Sequence, residues 1–175
     1  NKYDWNDVTL TPANLSSISS RKEITILNDQ NKLPLWVSPM DTVIDENNYK
    51  KYLELGYNVC LVRGMDYLNL DYTKCFVSFG LDEVIEKYNN GDLPPKLLID
   101  VAHAGMQRLY DISKKIKVDY PNVELMIGNI ANPETYNLYS EIGVDFQRCG
   151  VGAGSGCTTS ANGAIHYPMA SLIKE

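Results

Sequence analysis

A glycine-rich loop with a cysteine at its far end is the stretch of this sequence best suited to chemistry. Residues 150–159 read Gly-Val-Gly-Ala-Gly-Ser-Gly-Cys-Thr-Thr and follow an apparent strand from Val144 to Cys149. Glycines let a backbone turn tightly and approach a ligand closely, and successive exposed N–H groups can form a concave anion site. A phosphate cradle beside the thiol of Cys157 indicates a phosphorylated substrate that is attacked by sulfur. The alternative is a tight glycine turn with an incidental cysteine, because short glycine motifs often arise by chance.

The order of residues in this loop resembles the catalytic loop of the IMP dehydrogenase/GMP reductase family, Gly-x-Gly-x-Gly-Ser-x-Cys-Thr-Thr. The resemblance implies that Cys157 attacks C2 of the purine of a nucleotide monophosphate, while a nicotinamide cofactor exchanges hydride at that carbon. It implies that Thr159 orients or activates the water or ammonia. It also implies that Gly152, Gly154 and Ser155 bind the substrate, with Ser155 on the 5′-phosphate. The carbonyls of Gly152, Gly154 and Cys157 would hold a monovalent cation, K⁺.

A second segment, Ser38-Pro39-Met40-Asp41-Thr42-Val43, closely matches the family's Ser-Pro-Met-Asp-Thr-Val at the end of the first barrel strand. In a (β/α)₈ barrel the loops that follow the strands carry the site. Ser38 and Met40 are therefore expected to contact the nucleotide. The alternative for Met40 is that its flexible side chain fills a gap in the core.

Two further segments resemble the family's cofactor-binding positions. Asp100-Val101-Ala102-His103-Ala104-Gly105 is similar to Asp-x-Ala-His-Gly with Ala104 added, and Gly128-Asn129-Ile130 is similar to Gly-Asn-Val. The carboxylate of Asp100 is expected to accept hydrogen bonds from the ribose hydroxyls of the cofactor, NADPH or NAD. The alternative is that Asp100 caps a helix. The expected cofactor-binding residues are Asp100, Val101, Ala102, Asn129 and Gly150.

The hydrophobic pattern predicts six strands that alternate with helices, which is typical of a parallel sheet. The strands are expected at residues 33–37, 57–62, 74–79, 96–99, 123–127 and 144–149, with one more short strand at 24–27. The helices are expected at residues 45–55, 81–88, 106–118, 132–140 and 169–175. The pattern alone also allows a doubly wound sheet, whereas the resemblance implies a (β/α)₈ barrel.

A full barrel needs about 250 residues, and this chain has 175. We therefore expect a single catalytic-barrel domain that is incomplete at its C-terminus. In this interpretation residues 1–32 form an N-terminal segment and residues 33–175 form βα units one to six. Because the strands at an open edge are unpaired, we expect either a homo-oligomer such as a tetramer, or a second polypeptide that carries strands seven and eight.

The composition limits the partners of the chain. The net charge of −6 does not favour nucleic acid, and no apolar run approaches the roughly 20 residues that span a bilayer. Cys60, Cys75 and Cys149 lie in apolar runs and are expected to be buried core thiols. This usage suits the cytoplasm and indicates neither a disulfide framework nor a zinc site.

The resemblance implies GMP reductase activity, which converts GMP to IMP and ammonia. The connection between Gly64 and Lys74 is short, whereas IMP dehydrogenases usually carry a pair of regulatory CBS modules near this point. IMP dehydrogenase activity, from IMP to XMP, is the alternative, because Ser-Pro-Met-Asp is more typical of dehydrogenases. A non-catalytic half-barrel that binds a nucleotide or a partner is the third hypothesis. Arg148-Cys149 departs from the family's usual Lys-Val before the loop.

Overall fold

Six parallel strands form one sheet in the computed structural model, which describes residues 1–154 and 157–175 and, of Thr158 and Thr159, only the backbone. The sheet order follows the chain order from the first strand to the sixth, and each neighbouring pair is parallel. The strands are β1 Trp36–Val37, β2 Asn58–Leu61, β3 Cys75–Phe79, β4 Lys96–Asp100, β5 Glu124–Ile130 and β6 Phe146–Cys149.

The sheet curls so that its two edge strands face each other. Trp36 of β1 and Phe146 of β6 bring their ring centroids within 5.4 Å. A doubly wound sheet reverses its strand order at a switch point, and this sheet has no reversal. The structure thus confirms the expected partial (β/α)₈ barrel and excludes the doubly wound alternative.

Helices cover the outer side of the sheet and begin and end where the sequence supplies caps. The side chain of Asn132 accepts hydrogen bonds from the backbone of Glu134 and Thr135, and Pro133 takes the first helical position. Gly91 ends another helix in the left-handed conformation. The helices are α1 Tyr49–Glu54, α2 Leu81–Asn90, α3 Gln107–Asp119, α4 Pro133–Glu141, α5 Thr158–Gly163 and α6 Met169–Lys174.

The two faces of the sheet pack differently, because successive side chains of a strand point to opposite faces. On β4, Leu97 and Ile99 pack with buried residues of α3 in the main core between sheet and helices. Leu98 points to the inner face, where it packs in a small cluster with Cys60, Phe76 and Met126. The same alternation sends Asp100, at the end of β4, to the inner face.

Three expectations need correction. Residues 24–27 form no strand in the described part of the chain, and Ile24 and Ile26 are exposed. Helix α1 begins at Tyr49 because Asp45 and Asn48 close a turn before it, in which the backbone N–H of each donates to the other's side chain. Helix α5, between residues 158 and 163, was not expected.

The N-terminal residues lie on the last helix. The backbone N–H of Tyr3 donates to Oγ of Ser171 at 2.6 Å, and the backbone N–H of Ser171 donates to the carbonyl of Tyr3 at 3.0 Å. A short 3₁₀ turn, Trp5–Asp7, follows directly. None of the helices in the described residues is long and apolar enough to cross a membrane.

Candidate active site

The glycine loop leaves β6 directly and needs glycine at two of its positions. Gly150 has φ +115° and Gly152 has φ +81°, a region that side chains with a Cβ rarely adopt. A Cβ on Gly150 would also lie 2.7 Å from Sδ of Met169, and one on Gly152 would lie 2.7 Å from the carbonyl oxygen of Ile165. The loop is therefore packed closely against the segment that follows it.

Asn129 fastens this loop to the end of β5. The pairing of β5 with β6 shifts register between Gly128 and Ile130, and such a bulge redirects a side chain. Nδ2 of Asn129 donates to the carbonyl of Gly150 at 2.9 Å, while the backbone N–H of Gly150 donates to the carbonyl of Ile130 at 2.7 Å. Asn129 thus holds the first residue of the loop from the neighbouring strand.

The loop lines a cavity of about 450 Å³ at the carboxyl ends of the strands. Its walls include residues 149–154 and Cys157, together with Ala102 after β4 and Asn129 at the end of β5. Trp5 and Met169 complete the lining among the described residues. The volume falls within the range of about 300–1,000 Å³ that is usual for small-molecule sites.

Cys157 lies at the start of α5, with its side chain half-buried. Its backbone N–H donates to the carbonyl of Gly154 at 3.0 Å, and its own carbonyl accepts from the backbone N–H of Ala161 at 3.1 Å. These two bonds fix the backbone that carries the sulfur between the loop and the helix. The cysteine therefore occupies a defined position on the cavity wall.

The other three thiols differ from Cys157 in their surroundings. Cys60 and Cys75 are buried as expected, and burial raises the pKa of Cys60 to about 12 and that of Cys75 to about 11. The expectation for Cys149 was wrong, because it is exposed at the end of β6. Its surroundings still raise the pKa of its thiol by desolvation.

A charged row, formed by Asp100 and Arg148 with Gly128 between them, crosses the inner face of the sheet. Asp100, Gly128 and Arg148 are in register on β4, β5 and β6, and Nη1 of Arg148 donates to Oδ1 of Asp100 at 2.6 Å. A Cβ on Gly128 would lie 2.5 Å from Cβ of Arg148. The glycine of the middle strand therefore lets the arginine reach across it to the carboxylate.

Asp100 forms an ion pair and, in the described part of the chain, does not cap a helix. No helix cap in the described residues uses Asp100, since α3 has Met106 at its N-cap position. Its partner instead is Arg148, and both side chains are about a quarter exposed. Oδ2 of Asp100 has no hydrogen bond to any of the described residues, so it can still accept one from a ligand.

Ser38 and Met40 lie apart from the cavity of the glycine loop. Ser38 lines a second cavity of about 360 Å³, which lies inside the curled sheet between Trp36, Phe146 and Arg148. Met40 is half exposed and does not fill a gap in the core. Of the expected site residues, the cavity of the glycine loop brings together Ala102, Asn129, Gly150, Gly152, Gly154 and Cys157. Its described lining does not include Ser38, Met40, Asp100 or Val101.

Parts of the expected phosphate and catalytic sites lie outside the described residues. Ser155 lies outside the described residues, and so does the side chain of Thr159. The carbonyls of Gly154 and Cys157 each already accept one backbone hydrogen bond. A carbonyl oxygen has two lone pairs, so the cation site on Gly152, Gly154 and Cys157 stays a prediction.

Two residues at the site were missed as functional candidates. Trp5 lines the cavity from the far end of the chain, and only its proximity in the fold brings it there. Arg148 was noted only as a departure from the family pattern. The signal available for it was alternation along β6, which places residue 148 on the same face as Phe146.

A curled parallel sheet whose strand ends surround a glycine loop and a thiol defines a partial (β/α)₈ barrel with a ligand site at its carboxyl face. Residues 95–175 match the model of the IMP dehydrogenase / GMP reductase domain. The match places this part of the chain, residues 95–175, in the IMP dehydrogenase/GMP reductase family.

Individual relatives agree with this assignment. The chain is 31% identical over 178 residues to a GMP reductase of Lactobacillus delbrueckii subsp. bulgaricus, and the match covers 90% of the chain and 52% of that protein. It is 28% identical over 176 residues to a GMP reductase of Lysinibacillus sphaericus, with 91% and 54% covered. The chain thus spans about half the length of the curated relatives it matches.

A solved structure supports the fold. The crystal structure of inosine 5′-monophosphate dehydrogenase from Legionella pneumophila is similar with a TM-score of 0.77 and 24% sequence identity. The match covers 100% of this chain and 58% of that one. At this identity the likeness bears on the fold alone.

Proposed function

We propose that the chain carries the nucleotide-binding and thiol-bearing part of a purine nucleotide oxidoreductase that converts GMP to IMP and ammonia. The observation that carries the proposal is the cavity in which Cys157 and the glycine loop meet the ends of β4 and β5. Similarity to several GMP reductases supports the choice of GMP as substrate. Residues 33–175 would supply six βα units of the barrel and residues 1–32 its N-terminal segment.

The thiol performs the covalent step of this reaction. The sulfur of Cys157 bonds to C2 of GMP, and the amino group on C2 leaves as ammonia after protonation. A nicotinamide cofactor such as NADPH would supply the hydride that C2 receives, and cleavage of the carbon–sulfur bond would then release IMP and the thiol of Cys157. In the overall reaction, GMP, NADPH and two protons give IMP, NADP⁺ and ammonium, so atoms and electrons balance. The backbone bonds of Cys157 hold its sulfur on the cavity wall throughout.

The remaining residues bind and orient. The backbone of Gly152 and Gly154, with Ser155, would hold the 5′-phosphate, and Thr159 would orient the departing ammonia. Ser38 and Met40 would contact the nucleotide when the remaining part of the barrel shapes the site. A cation, K⁺, on the loop carbonyls would fix the loop conformation.

The cofactor would lie on the side of the cavity formed by the ends of β4 and β5. Ala102 and Asn129 belong to its lining, and Oδ2 of Asp100 is available to a ribose hydroxyl. Val101 and Gly150 border the same side, since the backbone N–H of Asn129 donates to the carbonyl of Val101 and its side chain to that of Gly150. Oδ2 of Asp100 and the second lone pairs of the Val101 and Gly150 carbonyls could accept hydrogen bonds from the ribose and amide groups of a nicotinamide nucleotide.

The full reaction would also need strands that close the barrel. They would come from a second polypeptide or from the rest of a longer chain, and a tetramer would suit the exposed edges. Native mass spectrometry of the purified protein measures the mass of the assembly. A chain that stays monomeric at working concentration would contradict the tetramer.

Binding and turnover test the proposal separately. Calorimetric titration of the chain with GMP should show binding. In the assembly with a closed barrel, adding NADPH should produce a GMP-dependent loss of the absorbance of the reduced nicotinamide. Cys157→Ala should keep GMP affinity within about tenfold and abolish turnover, because the sulfur acts only in chemistry. Turnover with IMP and NAD instead would make the protein an IMP dehydrogenase. Nucleotide binding without either turnover in the assembly with a closed barrel would favour the non-catalytic half-barrel.

A variant of the charged row tests the cofactor site. Asp100→Ala should weaken cofactor affinity by roughly tenfold to a hundredfold, because a hydrogen bond to a charged group contributes about 1.5–3 kcal/mol. GMP affinity should change much less. If only the melting temperature falls, Asp100 acts solely through its pair with Arg148 and the cofactor assignment is wrong.

A further inference from the structure

Trp5 brings an aromatic ring to the cavity of the glycine loop. Among the described residues that line the cavity of the glycine loop, Trp5 is the only aromatic one. Its side chain is 56% exposed, so much of the indole surface is available to a ligand. The loop itself offers backbone groups and a thiol, which bind phosphate and react with carbon but give no flat surface to a ring.

A network of hydrogen bonds holds the turn that carries Trp5. Oδ1 of Asp4 accepts from the backbone N–H of Trp5 at 3.0 Å, and Oδ2 of Asp7 accepts from the backbone N–H of Asp4 at 2.8 Å. This reciprocal capping box fixes the 3₁₀ turn. The two bonds between Tyr3 and Ser171 then attach the turn to α6.

The residues that hold this turn also press against the loop. Asp4 accepts from the backbone N–H of Met169 at 3.3 Å and pairs with Nε2 of His166 at 3.3 Å. A Cβ on Gly150 would lie 2.7 Å from Sδ of Met169, and one on Gly152 would lie 3.0 Å from Nδ1 of His166. The turn that carries Trp5 and the glycine loop are therefore both in contact with the same two residues, His166 and Met169.

Because the backbone that carries Trp5 is fixed in advance, only the side chain of Trp5 has to be ordered when a ligand binds, which lowers the entropic cost of binding. Aromatic side chains prefer offset-stacked or edge-to-face contacts with other rings, and the faces of nucleobases stack on tryptophan without regard to sequence. We propose that Trp5 forms the aromatic wall of the cavity and stacks on a flat heteroaromatic ring of the bound nucleotide. This inference rests on the proposed function, which places a nucleotide in the cavity.

The two tryptophans of the chain, Trp5 and Trp36, allow a direct test by fluorescence. Trp36→Phe leaves Trp5 as the only tryptophan and keeps a ring against Phe146, whereas Trp5→Phe leaves Trp36, which lines the other cavity. Saturating GMP should quench the emission of Trp5 in the first variant and leave that of Trp36 nearly unchanged in the second. Ribose 5-phosphate, which has no base, should quench neither.

The affinities provide a second readout. Trp5→Ala should weaken GMP binding, measured by calorimetry, by roughly fivefold to a hundredfold, the usual loss for one stacked base. Trp5→Phe should keep most of the affinity, because it retains an aromatic face. Oxidised nicotinamide mononucleotide identifies the partner ring: quenching of Trp5 by this ligand and not by GMP assigns the wall to the nicotinamide.

The outcomes separate this inference from the proposed function. Both GMP and the nicotinamide mononucleotide could bind without changing the emission of Trp5, and Trp5→Ala could bind them as tightly as the unaltered chain. In that case Trp5 does not stack on the ligand, and the proposed function stands. If the unaltered chain binds neither ligand in calorimetry, the proposed function fails and the inference fails with it. Quenching confined to Trp5 together with weaker binding in Trp5→Ala supports the inference.

Discussion

The two faces of the curled sheet are made from alternate residues of the same strands, yet they serve different purposes. On the outer face, apolar side chains from β1 to β5 pack under the helices in a single large core. On the inner face, four buried residues and Phe146 form a small cluster. Above this cluster lie the charged row and the two cavities. The outer face accounts for folding, and the inner face is left for ligands.

Whether a residue can serve a ligand site depends on its position along the strand as much as on the face to which it points. β4 is apolar on both faces over Leu97–Ile99 and carries charge only at its ends, with Lys96 at the amino end and Asp100 at the carboxyl end. In a parallel barrel this carboxyl end is where function concentrates. The energetic contrast between the faces should therefore be measurable with pairs of variants that differ only in the direction of one side chain.

The largest effect concerns the two buried thiols, one on each face. A pKa of about 12 for Cys60 on the inner face leaves roughly a thousandth of the thiolate that the ordinary value of 9.0 would give. For Cys75 on the outer face, about 11 leaves roughly a hundredth. At about pH 8, iodoacetamide should therefore label both very slowly, Cys60 the slower, and Cys157 first.

Peptide mapping by mass spectrometry measures these rates, and the urea-unfolded chain is the control, in which all four cysteines should react alike. Because folding raises both pKa values, the protonated thiols stabilise the fold below about pH 9, and this contribution is lost as the pH rises toward 11 and 12. Faster labelling of Cys60 than of Cys75 would mean that water fills the inner face.

The next effect compares neighbouring leucines of β4, both fully buried. Leu97→Ala removes a side chain from the large outer core and should lower the free energy of unfolding by about 4 kcal/mol, within the usual 2–5 kcal/mol. Leu98→Ala should cost nearer 2 kcal/mol, because flexible Met126 can move into the space. Denaturant titration measures both, with exposed Leu68→Ala as the neutral control. Equal losses would remove the energetic distinction between the faces.

Much of this fold could be predicted because the outer face leaves a strong signal. β2 to β6 all overlap their expected ranges, since buried parallel strands form apolar runs. The start of α4 was recognisable from Asn132 and Pro133. β1 is shorter than expected because only Trp36 and Val37 pair with β2. Residues 24–27 carry the alternation of a strand but have no neighbour with which to pair.

The site was less accessible to prediction. The glycine loop and Asn129 are local signals, and the structure places them together in one cavity. The pair of Asp100 with Arg148 depends on strand register and on a glycine between them, which no local pattern encodes. Trp5 depends on how the first residues lie on the last helix. These parts of the site therefore depend on contacts between distant segments of the chain, which local sequence patterns do not predict.

A smaller effect on stability is expected from a change in the charged row of Asp100, Gly128 and Arg148. Gly128→Ala places a methyl group 2.5 Å from Cβ of Arg148 and should lower the free energy of unfolding by about 1–3 kcal/mol through overpacking. Gly163→Ala in α5 is the control, because its Cβ would meet only ordinary contacts at 3.8 Å. It should be neutral or stabilising by up to about 1 kcal/mol. If Gly128→Ala is equally harmless, the inner row does not require glycine in the middle strand.

The smallest expected effect on stability concerns a tyrosine of helix α4 that contacts the segment after β4. Oη of the buried Tyr139 in α4 donates to the carbonyl of Ala104 at 2.7 Å, and the backbone N–H of Ala104 donates to the carbonyl of Asn129 at 2.8 Å. Ala104 is the residue that lengthens the segment after β4, so this tyrosine joins α4 to the extra residue and, through it, to Asn129.

Tyr139→Phe keeps the ring and removes one hydrogen bond, so the free energy of unfolding should fall by about 0.5–1.5 kcal/mol. Tyr136→Phe on the same helix is the matched control, because Tyr136 is 45% exposed and its change should stay within about 0.5 kcal/mol. If the hydroxyl also steadies Asn129, GMP affinity should weaken in Tyr139→Phe and not in Tyr136→Phe. Identical unfolding curves for the two variants would show that Ala104 is held by its backbone bond to Asn129 alone.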